Sequence, residues 1–287
     1  MTTADMTFTQ TGSRKNKGYL RFVFLILFSL VTIYPIFWLA TVALKDNRQF
    51  VQDPLGLPLH PTLASFKALL TDPAMLHYAF NSILVTGVAV IALLVLSSLA
   101  GYAFGRMEFP GKNVYFMIYM ISQWIPLVTL IIPLLVTIQI YKIYGTYESL
   151  ILPYIASGLG LATFMIRGFF RSIPQELLDS ARLDGCNELQ AFYKVMLPQI
   201  QSGLAVVAII SFINTWNEYF IALTLISRQQ MYTLPVAIST LSSIFGTDWP
   251  RLGAALFLST LPTLLLYIFF TDVFMNSASR SAGFGGR

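Results

Sequence analysis

The chain has 287 residues, of which 56% are hydrophobic and only 11% are charged, and its formal net charge is +5. A soluble domain carries about 25% charged residues, so this composition excludes an ordinary soluble protein and predicts one that lies in a membrane. The positive charge does not call for a nucleic-acid partner, because the anionic lipid of an inner leaflet accounts for it. The single cysteine, Cys186, excludes an intrachain disulfide.

Six apolar segments predict an all-α membrane protein with six transmembrane helices inside one domain, 19–275. Residues 83–104 contain no charged side chain, and at about 1.5 Å per residue they span about 33 Å, the thickness of a bilayer core. The first apolar run is longer than the core of a cleaved signal peptide, which has about 7–15 residues. The predicted spans are about 22–44, 79–105, 114–141, 149–170, 203–226 and 252–275.

Small residues recur every fourth position near the end of the second predicted span, at Ser97, Gly101 and Gly105. This spacing places them on one helix face, where another helix can approach closely. Two interpretations stay open: packing within the chain, or a contact with another subunit.

The distribution of Lys and Arg predicts the orientation. When the segments between spans are assigned alternately to the two sides, twelve of the 18 basic residues fall on one side and six on the other. The richer side faces the cytoplasm. We therefore expect a multi-pass protein of a bacterial or archaeal cytoplasmic membrane, with a polar N-terminus (1–18) and a C-terminal tail (276–287) that are both cytoplasmic.

The loop 171–202 lies on the positive side and is patterned as two short helices. Pro174 suits the first helical position, and Gly185 is typical of a helix C-terminus because it adopts positive φ without strain. Asn187 followed by Gln190 three residues later is a capping box, which starts the second helix. The predicted apolar stripes are Leu177, Leu178 and Ala181 on the first helix and Leu189, Phe192, Tyr193 and Met196 on the second.

Helices this short are marginal in water, so they need a surface to lie on. Their apolar stripes and charged outer faces are compatible with two roles. One is simple packing on the cytoplasmic ends of the spans. The other is docking of a soluble partner.

The stretch "IPQELLDSARLDGCNELQAFYKVMLP" (173–198) resembles the EAA-type cytoplasmic loop of ABC importer permeases. Asp179, Ser180 and Ala181 stand at the Glu-Ala-Ala positions, and Gly185 follows at the family's distance. "TWNEYFIAL" (215–223) and "GYAFGRMEFPGK" (101–112) are similar to the carbohydrate-uptake branch, in particular to the second membrane subunit of maltose-type systems. The tail "SAGFGGR" departs from the Gly-x-Val-Lys-Gly-like ending common in that family.

The resemblance implies a type I ABC importer permease in which 171–202 is the coupling loop. Its implied partners are a second homologous permease subunit, two cytoplasmic ATP-binding subunits, an extracellular solute-binding protein and the lipid bilayer. The loop is expected to insert into a cleft on the ATPase, and the solute is expected to be a sugar or a related polar molecule. The implied ATPase-coupling residues are Glu176, Asp179, Ser180, Ala181, Arg182, Asp184 and Gly185.

The chain lacks the G-x-x-x-x-G-K-[ST] loop that cradles nucleotide phosphates. Gly111-Lys112 is followed by Asn113, and Arg106 stands where the first glycine belongs. We therefore predict that the chain is a translocation subunit and not an enzyme. We expect it to bind no cofactor, with ATP and Mg²⁺ held by the partner ATPase.

The fifth predicted span carries polar residues where the bilayer penalises them. A charge at mid-bilayer costs about 3 kcal/mol on insertion scales, so Glu218 should face protein or water. Asn214 and Glu218 are four residues apart and share a helix face. Together with the polar or aromatic Trp216, Asn217 and Trp124, they are candidates for the wall of a sugar path. Structural hydrogen bonding between helices is the alternative.

Two other functional classes, a secondary transporter and a membrane-embedded enzyme, agree with less of the sequence than an ABC importer permease does. A proton-coupled secondary transporter would use Glu218 to exchange protons, but such carriers usually show twelve spans or a clear repeat. A membrane-embedded metalloenzyme would need a ligand cluster, and the only histidines, His60 and His77, share one outside loop without matching ligands. No metal site is therefore predicted.

Overall fold

The structure is a computed structural model that describes residues 12–243 and 246–283, with side chains over 21–242 and 246–270. Residues 1–11 and 284–287, which belong to the two predicted terminal segments, lie outside the described residues. Within the described part, four unbroken helices are long and apolar enough to cross a membrane. Two bent helix pairs, Lys112–Ser122 with Leu127–Ile140 and Glu188–Gln199 with Gln201–Trp216, raise the number to six if each pair counts as one span.

The six spans are numbered here in chain order. Span 1 is Gly12–Ala43, span 2 is Pro73–Arg106, span 3 is Lys112–Ser122 with Leu127–Ile140, and span 4 is Glu148–Ser172. Span 5 is Gln201–Trp216, followed after a short break by the helix Phe220–Leu225, and span 6 is Trp249–Gly283. The predicted coupling loop, 171–202, contains the helices Gln175–Leu183 and Glu188–Gln199, which are called the two coupling helices below. The remaining elements are the short helices Asn47–Gln52, Ala64–Leu70, Gln229–Met231 and Leu234–Ser239, and an antiparallel strand pair, Ser242–Ser243 with Gly246–Thr247.

Spans 2 and 4 form the centre of the bundle, and the small-residue face of span 2 lies between them. A Cβ added to Gly101 would meet Cγ2 of Ile166 at 2.7 Å, and one added to Gly105 would meet Cβ of Phe170 at 3.3 Å. Ile166 and Phe170 are fully buried. Of the two interpretations left open by the sequence, packing within the chain is therefore the one that the structure shows.

Span 3, which is predicted over 114–141, is broken into two helices. Its two pieces meet at an angle of 84°. The break includes Pro126, whose backbone is extended at φ −62° and ψ 130°. A proline supplies no N–H and disfavours the helical conformation of the residue before it, so the helix ends ahead of Pro126 and restarts beyond it.

The loop between spans 1 and 2 is tied to the bundle end opposite the coupling loop. Lys45 is buried, and its Nζ donates to the Asp53 carbonyl at 2.6 Å. Arg251, at the start of span 6, donates to the Asp72 carboxylate ahead of span 2 at 2.9 Å. These contacts fix the start of span 2 against span 6.

Candidate functional site

The turn between the two coupling helices is built around Gly185. The first helix ends in a Schellman motif: the Gly185 N–H donates to the Arg182 carbonyl at 3.0 Å, and the Cys186 N–H donates to the Ala181 carbonyl at 3.1 Å. Gly185 has φ +82°, which an L side chain adopts only with strain. Space is not the constraint, because a Cβ there would meet nothing within 4 Å.

The second coupling helix starts with the predicted capping box. Asn187 Oδ1 accepts from the Gln190 N–H at 2.8 Å, and Gln190 Oε1 accepts from the Asn187 N–H at 3.0 Å. Residues 191–196 then wind as a π-helix, in which the Leu197 N–H donates to the Phe192 carbonyl. At the start of the first coupling helix, Pro174 is the N-cap and not the first helical residue.

Only part of each predicted stripe is buried. Leu178, Ala181, Phe192 and Met196 pack against spans 2 and 4. Leu189 and Tyr193 do not: they are 63% and 47% exposed. The four residues predicted as one stripe on the second helix therefore lie on two neighbouring faces. Phe192 and Met196 share the buried face, and Leu189 and Tyr193, also four residues apart, share the exposed face beside it.

The exposed face of the coupling loop combines apolar and charged groups. Leu183 is 89% exposed, next to the Gly185 turn. The predicted coupling residues lie together on the first coupling helix and the Gly185 turn, and all of them except Ala181 are exposed. Ala181 is buried in the chain's own core, so its side chain faces the spans and not a partner.

Arg106, at the end of span 2, holds the base of the coupling loop. Its Nε donates to the Phe170 carbonyl at 2.8 Å, its Nη1 donates to Gln175 Oε1 at 2.9 Å, and its Nη2 donates to the Ile173 carbonyl. One guanidinium thus joins the end of span 2, the end of span 4 and the start of the first coupling helix. This role of Arg106 was not predicted from the sequence, in which a basic residue in the last turn of a span is the only local signal.

A second polar link joins the two coupling helices to span 2. Arg182 donates to Glu188 Oε1 from Nη2 at 2.7 Å and from Nε at 3.0 Å, and Glu188 Oε2 accepts from the Tyr102 hydroxyl at 3.1 Å. Asp179 lies 3.7 Å from Arg182 Nη1 and accepts from Gln175 Nε2 at 3.0 Å. The hydrogen bonds to Glu188 raise the pKa of the Arg182 guanidinium. Glu188 was not among the predicted site residues.

Span 5 is interrupted after Trp216, where the sequence predicts one helix over 203–226. Glu218 lies in the break and caps the short helix Phe220–Leu225. Its carboxylate accepts from the Ile221 N–H at 2.7 Å, from the Ala222 N–H at 3.1 Å and from the Tyr154 hydroxyl of span 4 at 2.7 Å. A carboxylate is favoured at a helix N-terminus, where the N–H groups have no partner within the helix. These contacts are of the kind that the structural alternative for Glu218 requires, and its place in a sugar path stays a prediction.

A cavity of about 150 Å³ lies between spans 2, 4 and 5. Asn214 and Glu218 both line it, as their spacing predicts, and Tyr154 and Ser157 of span 4 face them. The Asn214 side chain makes no hydrogen bond within the part of the chain that the structure describes, so its amide is free to bind a ligand. Ligand pockets usually measure about 300–1,000 Å³, so this cavity is only part of a site for a sugar.

The other three predicted path residues lie elsewhere. Trp216 is 3% exposed and donates from Nε1 to the Ser259 carbonyl of span 6 at 3.0 Å, so it faces away from this cavity. Asn217 donates to the Ile213 carbonyl at 2.8 Å and lines a separate cavity of about 480 Å³. Trp124 is 86% exposed in the break of span 3. The geometry does not group them with Asn214.

Comparisons with known proteins identify the relatives of this architecture. The sequence profile of the family described as "Binding-protein-dependent transport system inner membrane component" matches residues 97–281. The chain is 30% identical to the diacetylchitobiose uptake system permease protein of Streptomyces coelicolor, over 89% of this chain and 85% of that protein. It is also 30% identical to the sulfoquinovosyl glycerol transport system permease protein of Agrobacterium fabrum, over 88% and 89%.

The fold has a solved counterpart in the crystal structure of a bacterial ABC transporter involved in the import of the acidic polysaccharide alginate. The two chains superpose with a TM-score of 0.81 at 21% identity, over 93% of this chain and 99% of that chain. The architecture is the type I permease fold. The chain therefore belongs to the family of binding-protein-dependent transport system inner membrane components, the permease subunits of ABC importers.

Proposed function

We propose that the chain forms half of the translocation path for a carbohydrate or a related polar solute. In this proposal a second homologous permease supplies the other half, and an extracellular solute-binding protein delivers the solute. The cavity supports the pairing, because about 150 Å³ with one free amide is too little for a sugar site on its own. The names of these similar proteins support the solute class, because diacetylchitobiose, sulfoquinovosyl glycerol and alginate are all carbohydrates or carbohydrate derivatives.

The observation that carries the proposal is the anchored coupling loop. Its inner face is buried on spans 2 and 4, its base is held by Arg106, and its outer face presents Leu183 at 89% exposure beside the Gly185 turn. An exposed leucine beside a rigid turn is suited to a hydrophobic cleft on a partner. We propose that two cytoplasmic ATP-binding subunits supply this cleft and hold ATP and Mg²⁺, while this chain binds no cofactor. Both termini are then cytoplasmic.

A matched pair of leucine variants tests the docking surface. Leu183→Ser should reduce co-purification of the ATPase from mild detergent, because it removes an exposed apolar contact. Leu59→Ser should not, since Leu59 is 81% exposed in the loop at the opposite end of the bundle. Neither side chain is buried, so both variants should keep the wild-type melting temperature. Equal recovery of the ATPase with both variants would contradict the docking assignment.

A matched pair of asparagine variants tests the path. Asn214→Ala should lower ATP-driven solute uptake and leave ATPase recovery unchanged, because its free amide lines the cavity. Asn217→Ala should have a smaller effect on uptake, since its amide is bonded to its own helix outside this cavity. The reverse order would remove Asn214 from the path.

The proton-coupled alternative is weakened by the environment of Glu218. Its carboxylate already accepts three hydrogen bonds, two of them from backbone N–H groups of its own span, so it is engaged in holding the break in span 5. Uptake should therefore survive collapse of the proton gradient while ATP is present. Loss of uptake under those conditions would favour the carrier.

A further inference from the structure

A second polar cavity lies at the bundle end that carries the coupling loop. It measures about 430 Å³ and is bounded by the end of span 2, the turn before span 3 and the end of span 4. Four charged side chains line it: Arg167, Arg171, Lys112 and Glu108. Neither the solute path nor the docking face includes this cavity.

The cations of this cavity have unused donors. Lys112 Nζ is paired with Glu108 Oε1 at 2.9 Å. Arg167 donates from Nε to the Phe104 carbonyl at 3.1 Å and stacks on the Phe116 ring at 3.9 Å, and its terminal amines form no hydrogen bond within the described residues. The Arg171 guanidinium has no hydrogen bond or ion pair in the part of the chain that the structure describes. Two guanidinium groups with free N–H donors suit an anion with several oxygens.

An exposed apolar face leads away from the cavity along the first half of span 3. Val114 lines the cavity itself and is 61% exposed, and Met117, Ile118 and Ile121 are 62%, 61% and 60% exposed. Their spacing places all four on one face of the helix, over a length of about 10 Å. A small soluble anion has no use for such a face, but an acyl chain does.

We propose that this cavity binds the phosphate of an anionic phospholipid, with an acyl chain along Val114, Met117, Ile118 and Ile121. The proposal rests on the orientation proposed above, which places this bundle end at the cytoplasmic leaflet. That leaflet is rich in anionic lipid, and basic pockets between helices are suited to its head groups. Arg171 is the principal phosphate donor, because its guanidinium has no hydrogen bond or ion pair within the described residues.

Native mass spectrometry of the full-length chain in detergent tests the proposal, with phosphatidylglycerol or phosphatidylcholine of matched acyl chains as the probe. We expect the chain to retain phosphatidylglycerol in preference to phosphatidylcholine. Arg171→Gln should weaken phosphatidylglycerol binding about fivefold, the effect of one basic group near an anionic surface. Arg21→Gln is the matched control, since it removes the same charge from the same end of the bundle, outside this cavity.

Each other outcome overturns the proposal. Equal binding by wild type and Arg171→Gln would show that the cavity does not hold the lipid. Equal binding of both lipids would exclude recognition of the charge. Binding of inorganic phosphate that depends on Arg171, without retention of phosphatidylglycerol, would identify a soluble phosphate as the ligand. Loss of the ATPase from Arg171→Gln with lipid binding unchanged would assign the cavity to a protein partner.

Discussion

Replacing Glu218 by Gln tests whether this carboxylate serves the structure or the transport chemistry. The carboxylate accepts three hydrogen bonds through two oxygens, from Ile221, Ala222 and Tyr154. A glutamine has one acceptor oxygen and turns an N–H group toward at least one of these donors. Losing one bond to a charged group costs about 1.5–3 kcal/mol.

The expected result is a less stable protein that still transports. A cost of about 2 kcal/mol corresponds to a melting temperature about 4–8 °C lower for a chain of this size. ATP-driven uptake should persist below that temperature and should stay insensitive to a protonophore. Glu108→Gln is the matched control, because the Glu108 carboxylate is 88% exposed and its pair with Lys112 contributes little.

Two results would refute this reasoning. An unchanged melting temperature for Glu218→Gln would show that the three hydrogen bonds do not stabilise the break in span 5. Wild-type stability combined with abolished uptake would return Glu218 to a direct role in transport. The assay is a thermal-shift measurement in detergent, followed by uptake into proteoliposomes that contain the complete importer.

Three further predictions use single positions. Gly101→Ala should destabilise the chain by about 1–3 kcal/mol, because its Cβ would meet Ile166 at 2.7 Å. Gly87→Ala in the same helix should not destabilise it, since a Cβ there meets nothing within 4 Å. Equal thermal shifts for the two variants would contradict the close approach of spans 2 and 4. Gly185→Ala should cost about 1 kcal/mol, because alanine is strained at the positive φ of this position, and it should weaken ATPase recovery. Gly168→Ala should do neither, since that glycine is also free of steric contact but has no positive φ. Identical behaviour of the two variants would show that an alanine at position 185 is not strained. Cys186, which is partly exposed, should react with a membrane-impermeant thiol reagent only in inside-out vesicles, and labelling of intact spheroplasts would reverse the proposed orientation.

Features that depend on neighbouring residues were predictable from the sequence. The apolar runs predict the spans because a bilayer requires about 20 apolar residues per crossing. The Gly185 turn and the Asn187–Gln190 capping box were predictable because their hydrogen bonds join residues only three to five positions apart. The shared face of Asn214 and Glu218 follows from helical spacing in the same way.

Features that depend on distant residues were decided by the tertiary structure. Glu218 caps a helix and meets Tyr154 only because span 5 breaks beside span 4. Trp216 turns to Ser259 of span 6, a contact between residues 43 positions apart. Arg106 reaches Phe170 and Gln175 only after spans 2 and 4 have packed. Hydropathy places a residue in the membrane, but the polar partner that it finds there depends on which helices pack against each other.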